Sequence, residues 1–177
     1  MPDPVVRYYV AASIDGFIAT PDGGVGWLEP FHGEDYGYQG FYARVGVVVM
    51  GRRTFDQALG YDTWPYAGRR TVVLTTQPLG PDAPAGVETW DGDAATLAHR
   101  LKAETRGEIY MCGGGQAAQA FLEAGCIDRI ELYVMPVLLG AGVPLFAGGA
   151  PVDMTLLDAR PMARGVVRLT YGPASSA

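Results

Sequence analysis

Residues 45–55 read Val45-Gly-Val-Val-Val-Met-Gly-Arg-Arg-Thr-Phe55. The first six positions are apolar and dominated by valine, the pattern of a strand buried on both faces. Glycine then turns the chain, and residues 52–59 read as a short helix, so a strand feeds directly into a helix. Two arginines in a first helical turn oppose the helix dipole, whose positive end lies there. A bound phosphate would compensate, because guanidinium groups make charge-assisted bonds to it and open N–H groups at a helix start attract an anion. The plainer alternative is a pair of solvated arginines beside a capping threonine.

The same alternation extends in both directions. Strands are expected at residues 5–12, 70–75, 87–90, 108–112 and 128–137 from their apolar, β-branched and aromatic content. Helices are expected at 34–44, weakened by Gly37 and Gly40, at 93–104 behind an Asp93 cap, and at 116–124, closed by Gly125. A Gly/Pro-rich loop is expected between the first strand and Pro30, with residues 22–30 as a mobile lid. Beyond Leu138 helix signals stop, and 153–161 and 163–171 read as two antiparallel strands closing an edge. The fold class is therefore α/β: three layers around a mostly parallel mixed sheet with C-terminal antiparallel strands, in one domain spanning 1–177 with its core at about 5–172.

Composition narrows the function. With 177 residues, 49% apolar and 18% charged, the chain has enough material for one real core. A net charge of −6 without a Lys/Arg run argues against nucleic acid or an anionic membrane as partner. The opening MPDPVVRYYVAASIDG lacks a basic region followed by an apolar core, and the tail GPASSA reads as frayed. Two cysteines, far apart and outside any C-x-x-C, suit a reduced cytoplasmic protein. His32-Gly-Glu34 looks like the H-x-E of zinc deaminases, but no P-C-x-x-C follows, so no metal site is expected.

In open α/β sheets ligands bind at the carboxyl ends of the strands. Four junctions lie there: residues 11–16, 50–54, 75–78 and 112–116. They bring two arginines, two threonine hydroxyls, a turn of small residues and three consecutive glycines to one edge, a set suited to a nucleotide with more than one phosphate. Gly113 to Ala118 formally satisfies the dinucleotide fingerprint G-x-G-x-x-A. It follows a late strand, and no acidic residue stands about 20 positions on, so bare backbone beside a pyrophosphate is the better reading.

Val48-Val-Met-Gly-Arg-Arg-Thr-Phe55, Gly68-Arg-Arg-Thr-Val-Val-Leu-Thr-Thr-Gln-Pro78 and Ser13-Ile-Asp-Gly-Phe-Ile-Ala-Thr20 together resemble the dihydrofolate reductase fold superfamily. The segments 113–130 and 136–146 make the likeness closest to the C-terminal reductase domain of the bifunctional riboflavin-biosynthesis deaminase-reductase. The resemblance implies NADPH as hydride donor. Ala11 and Ile18 would line the nicotinamide pocket, and Gly51, Arg52, Arg53 and Thr54 would hold the pyrophosphate and adenosine phosphates. Thr75 and Thr76 would contact the 2′-phosphate, and Gly113, Gly114, Gly115 and Gln116 the pyrophosphate. Dihydrofolate reductases often carry arginine where Gln116 stands, which predicts a weaker phosphate grip there.

On the substrate side, the resemblance makes Asp35 and Asp15 the catalytic candidates, with Trp27, Glu34 and His32 as substrate contacts. The activity implied is NADPH-dependent reduction of a pyrimidine- or pterin-like heterocycle, similar to 5-amino-6-(5-phosphoribosylamino)uracil reduction. Dihydrofolate reduction and a non-catalytic NADP(H)-binding module are the alternatives. A homodimer is also expected, because residues 131–146 look too apolar for a solvent-facing edge and the resembling riboflavin reductases dimerise.

Overall fold

The computed structural model describes residues 4–174. The first three residues of the opening stretch and the last three of the tail, read above against an export signal and as frayed, lie outside them. Ten strands and four α-helices follow in the order β1 (Val6–Ser13), β2 (Phe17–Ala19), α1 (Tyr38–Tyr42), β3 (Val45–Gly51), α2 (Arg52–Leu59), β4 (Arg70–Leu74), β5 (Val87–Trp90), α3 (Ala94–Glu104), β6 (Glu108–Gly113), α4 (Gly115–Glu123), β7 (Arg129–Met135), β8 (Val143–Pro144), β9 (Met154–Pro161) and β10 (Val167–Pro173). The main sheet runs β5-β4-β3-β6-β1-β7-β10-β9. Its first six strands are parallel, while β10 is antiparallel to both β7 and β9.

The valine run of β3 is central because both of its faces are covered. Val47 and Val49 join Val6, Tyr8, Val72, Ile109 and Met111 under Leu97 and Leu101 of α3 and Phe121 of α4. Val48 and Met50 face the other way, with Val73 and Tyr110, under Phe41 of α1 and Phe55 of α2. Each such large side chain contributes about 1.5–3 kcal/mol when buried. At the opposite edge from the strand ends used below, the carboxylates of Glu108 and the buried Glu131 are answered by Arg7, whose Nη1 donates to Glu131 at 2.6 Å. Paired in this way, a charge is tolerated inside the sheet.

Four expectations need correction. The helix placed at 34–44 is confined to Tyr38–Tyr42, because Gly37 enters with a left-handed φ of 93° and Asp35 accepts a hydrogen bond from its N–H at 2.8 Å, fixing a turn instead. The loop leading to Pro30 contains a 3-10 helix at Gly26–Phe31, whose Trp27, Leu28 and Phe31 pack on Tyr133, Met135 and Val166, so much of the expected lid is anchored. The final strand starts at Val167 rather than 163, since Arg164 adopts a φ of 58° in a short 3-10 turn. The apolar strand β7 is no edge: β10 covers it on its open side, and Leu145 and Phe146 pack into the core. Among the described residues no helix is long and apolar enough to cross a membrane.

Candidate functional site

The carboxyl ends of β3 and β4, strand β2 and the turn after β6 open onto one cleft of about 890 Å³. It brings together ten of the sequence-derived cofactor residues: Ile18, Gly51, Arg52, Arg53, Thr54, Thr75, Thr76, Gly114, Gly115 and Gln116. Two helices start on it. Gly51 caps α2 and Gly114 caps α4, and neither start has a side-chain hydrogen bond to its first turn. The open N–H groups and the positive ends of both helices therefore converge on the cleft, as a pyrophosphate requires.

The glycines of the α4 turn have different causes. Gly113 adopts a φ of 118°, open to glycine at little cost, and the Gly113–Gly114 peptide is cis. A Cβ on Gly115 would stand 2.6 Å from the Pro144 carbonyl oxygen, so the loop before Leu145 sits directly on the helix start. Gly114 has neither constraint; a Cβ there would meet only the Thr54 hydroxyl, at 3.4 Å. Its bare backbone lines the cleft together with Gly115 and Gln116. Cys112, just before it, faces the opposite side of the sheet, 2.9 Å from the Tyr66 hydroxyl, and burial pushes its thiol pKa up.

Arg52 is anchored, while Arg53 is exposed at the rim. Thr75 Oγ1 accepts from the Gln77 N–H at 3.0 Å, which shapes the turn after β4 and leaves the Thr76 side chain exposed. The apolar wall is made by Ile18, Ala19 and Val143, the last two paired across the small β2–β8 sheet. Asp15 holds that wall in place. Its carboxylate accepts from Ser13 Oγ at 2.6 Å, from the Gly140 N–H at 2.7 Å and from the Leu139 N–H at 3.1 Å, clamping the turn after β1 to the loop after β7. The Ser13 bond, then the two backbone bonds, lower its pKa below the ordinary value by favouring the charged form.

The other predicted residues lie elsewhere. Ala11 and Gly113 are outside the cleft lining, and Ala11, like Trp27, packs against the cluster of Tyr133, Met135 and Val166. Trp27 Nε1 is buried without a partner among the described residues. His32, Glu34 and Asp35 are exposed; Glu34 pairs with Arg164 at 3.4 Å and Asp35 is committed to Gly37. Asp22, the first residue of the expected lid, lines the cleft, and sequence reasoning missed Asp56, Trp90, Asp91 and Val143, which line it as well. Asp56 had a legible signal, four residues after Arg52 on one helix face. Among the described residues no group of three or more His, Cys, Asp or Glu is placed to hold a metal.

A family model described as the RibD C-terminal domain matches residues 62–168. The chain is 36% identical over 140 residues to the uncharacterized protein YwjB of Bacillus subtilis (strain 168), covering 78% of this chain and 80% of that protein. It is 27% identical over 172 residues to the riboflavin biosynthesis protein RibD of Corynebacterium ammoniagenes, spanning 88% of this chain but only 49% of RibD. A solved structure of a putative riboflavin biosynthesis protein from Shewanella sp. PV-4 is similar over 96% of this chain and 99% of that one, with a TM-score of 0.86 at 29% identity.

Proposed function

The chain belongs to the RibD C-terminal domain family, and on that premise we propose that it is a reductase of the riboflavin-pathway type, using NADPH to reduce a pyrimidine- or pterin-like heterocycle. The observation that carries this is the convergence of two helix starts without side-chain caps, Arg52, Arg53, Thr75 and Thr76 on one cleft. Those groups fit a cofactor with a pyrophosphate and a further phosphate ester. Gly51 to Thr54 and Gly114 to Gln116 would hold the pyrophosphate, and Arg52, Thr75 and Thr76 the 2′-phosphate. Ile18, Ala19 and Val143 would offer the nicotinamide an apolar surface that excludes water. A reduced nicotinamide bound there supplies the hydride.

The protein's own task is positioning. On this reading Asp15 steadies the wall rather than acting on the ring, which leaves Asp35, exposed and bonded to the Gly37 N–H outside the cleft lining, as the other proton-handling candidate, with Trp27, His32 and Glu34 nearby in sequence. We also place the enzyme in the cytoplasm as a homodimer. Since β7 is interior, the dimer surface moves to the edge strand β9, where Leu156 and Leu157 are exposed. A compact monomeric mass in solution scattering would refute the dimer.

The test is a panel of pyrimidine and pterin substrates with NADPH and NADH, followed by loss of cofactor absorbance. Turnover of one member with NADPH is expected; no NADPH binding at millimolar cofactor would sink the proposal. A non-catalytic NADP(H)-binding module is the second reading, favoured by the commitment of both Asp15 and Asp35 to backbone N–H groups. Binding with no turnover across the panel would select it.

A further inference from the structure

Arg52 is held from two sides. Its Nε donates to Asp56 Oδ1 at 2.8 Å and its Nη1 donates to the Pro78 carbonyl at 3.1 Å. Helix stability does not account for the ion pair. A base in the first turn opposes the dipole, and base before acid at this spacing is the weaker order. Both side chains are well exposed, at 35% and 52%, where such pairs add little.

What the two bonds do fix is the guanidinium plane. A guanidinium has five N–H donors in a rigid fork. Two are used among the described residues, which leaves three on a side chain that lines the cleft together with Thr75 and Thr76. Pro78 lies just beyond those threonines, so the second anchor ties Arg52 to the turn that carries them. Holding a long side chain in its binding geometry removes an ordering cost from ligand capture.

Resting on the reading of the cleft as an NADPH site, we propose that Asp56 is a positioning residue for cofactor selection: its carboxylate orients Arg52 toward the phosphate ester that distinguishes NADPH from NADH. The carboxylate would also repel that phosphate, but bonded directly to Nε it is screened by the same guanidinium whose orientation it sets. An amide at position 56 keeps the acceptor and removes the charge, which separates the two effects.

Calorimetric titration of NADPH and NADH into the full chain tests this with Asp56→Ala and Asp56→Asn. Asp56→Ala is expected to weaken NADPH about tenfold, the scale of one charge-assisted hydrogen bond, with NADH unchanged within about twofold. Asp56→Asn should recover most of the NADPH affinity. The proposal is overturned if Asp56→Ala leaves NADPH binding unchanged or tighter, if it weakens both cofactors equally, or if the wild type does not distinguish them. Failure of the underlying cofactor reading appears separately, as a wild-type protein that binds neither nucleotide.

Discussion

Helices α3 and α4 begin with the same backbone and opposite side chains. Asp93 enters α3 at φ −71° and ψ 157°, accepting from the Thr96 N–H at 2.8 Å and from the Thr96 hydroxyl at 2.7 Å. Gly114 enters α4 at φ −72° and ψ −173°, and Gly51 enters α2 at φ −78° and ψ 163°, both without a side-chain bond. Every one of these conformations is open to any residue, so glycine is not required by the backbone at 51 or 114. Position alone does not explain the difference either, because Gly92 and Ala94 beside Asp93 also line the cleft. The difference lies in what fills the helix start. The α3 start carries its own anion, while α2 and α4 leave their N–H groups for a ligand, at a cost of only a few tenths of a kcal/mol relative to a serine or aspartate cap.

The most direct way to break the comparison is to give α4 the cap that α3 has. Gly114→Asp asks the Thr54 hydroxyl, at 3.4 Å from the new Cβ, to yield slightly. It should leave the thermal midpoint unchanged or slightly higher. The added carboxylate would sit about 4 Å from a bound pyrophosphate, a repulsion of about 4 kcal/mol at an effective dielectric near 20 before salt screening. NADPH affinity is expected to fall roughly a hundredfold, as read by calorimetry. An unchanged affinity would mean that the phosphate lies elsewhere.

Gly115→Ala probes packing rather than charge. Its Cβ would press on the Pro144 carbonyl at 2.6 Å, whereas a Cβ at Gly51 would meet Ala117 at an ordinary 3.5 Å. Overpacking of this kind typically costs about 1–3 kcal/mol. Gly115→Ala should therefore lower the melting temperature by several degrees in circular dichroism, and Gly51→Ala by much less. Equal effects would show that the 144–145 loop moves aside freely.

Asp15 sharpens the contrast between wall and ligand groups. Asp15→Asn keeps acceptor capacity but loses the charge that binds the Leu139 and Gly140 N–H groups. It should raise the KM for NADPH about threefold with kcat nearly unchanged, as expected for a residue that steadies the apolar wall. A folded-state pKa below the ordinary aspartate value of about 4 means the clamp's contribution is complete above that value. It is lost as pH falls through the lowered pKa. A collapse of kcat in Asp15→Asn at neutral pH would return Asp15 to the chemistry.

Much of this architecture was legible because it is local. The valine run of β3, the Arg52–Leu59 helix and the Asp93 cap are fixed by neighbours within a few residues, and the cleft lining was largely legible because strand ends are where pockets form in such sheets. The illegible parts are those settled by distant partners. Strands β2 and β8 have three and two residues and pair across more than a hundred positions, so neither carries a pattern of its own. Nothing within β7 says that β10 will cover it. Asp91 and Val143 reach the cleft through tertiary placement, without a motif.

The smallest expected effect tests whether the two kinds of helix start are functionally separate. Asp93→Ala removes the α3 cap and opens a third helix N-terminus at the far end of the cleft. Its bonds from the Thr96 N–H and then the Thr96 hydroxyl lower its pKa by stabilising the charged form. The cap therefore contributes stability above the ordinary aspartate pKa of about 4 and loses it as pH falls through the lowered value. Melting temperatures of wild type and Asp93→Ala should differ by a few degrees at pH 7 and converge on acidification through that window. NADPH affinity should stay within about twofold, because the proposed phosphate contacts come from α2, α4 and the turn after β4 and none from the α3 start. A clear gain in affinity would mean that the Asp93 carboxylate keeps anions away from this end of the cleft, and that capping here shapes recognition as well as stability.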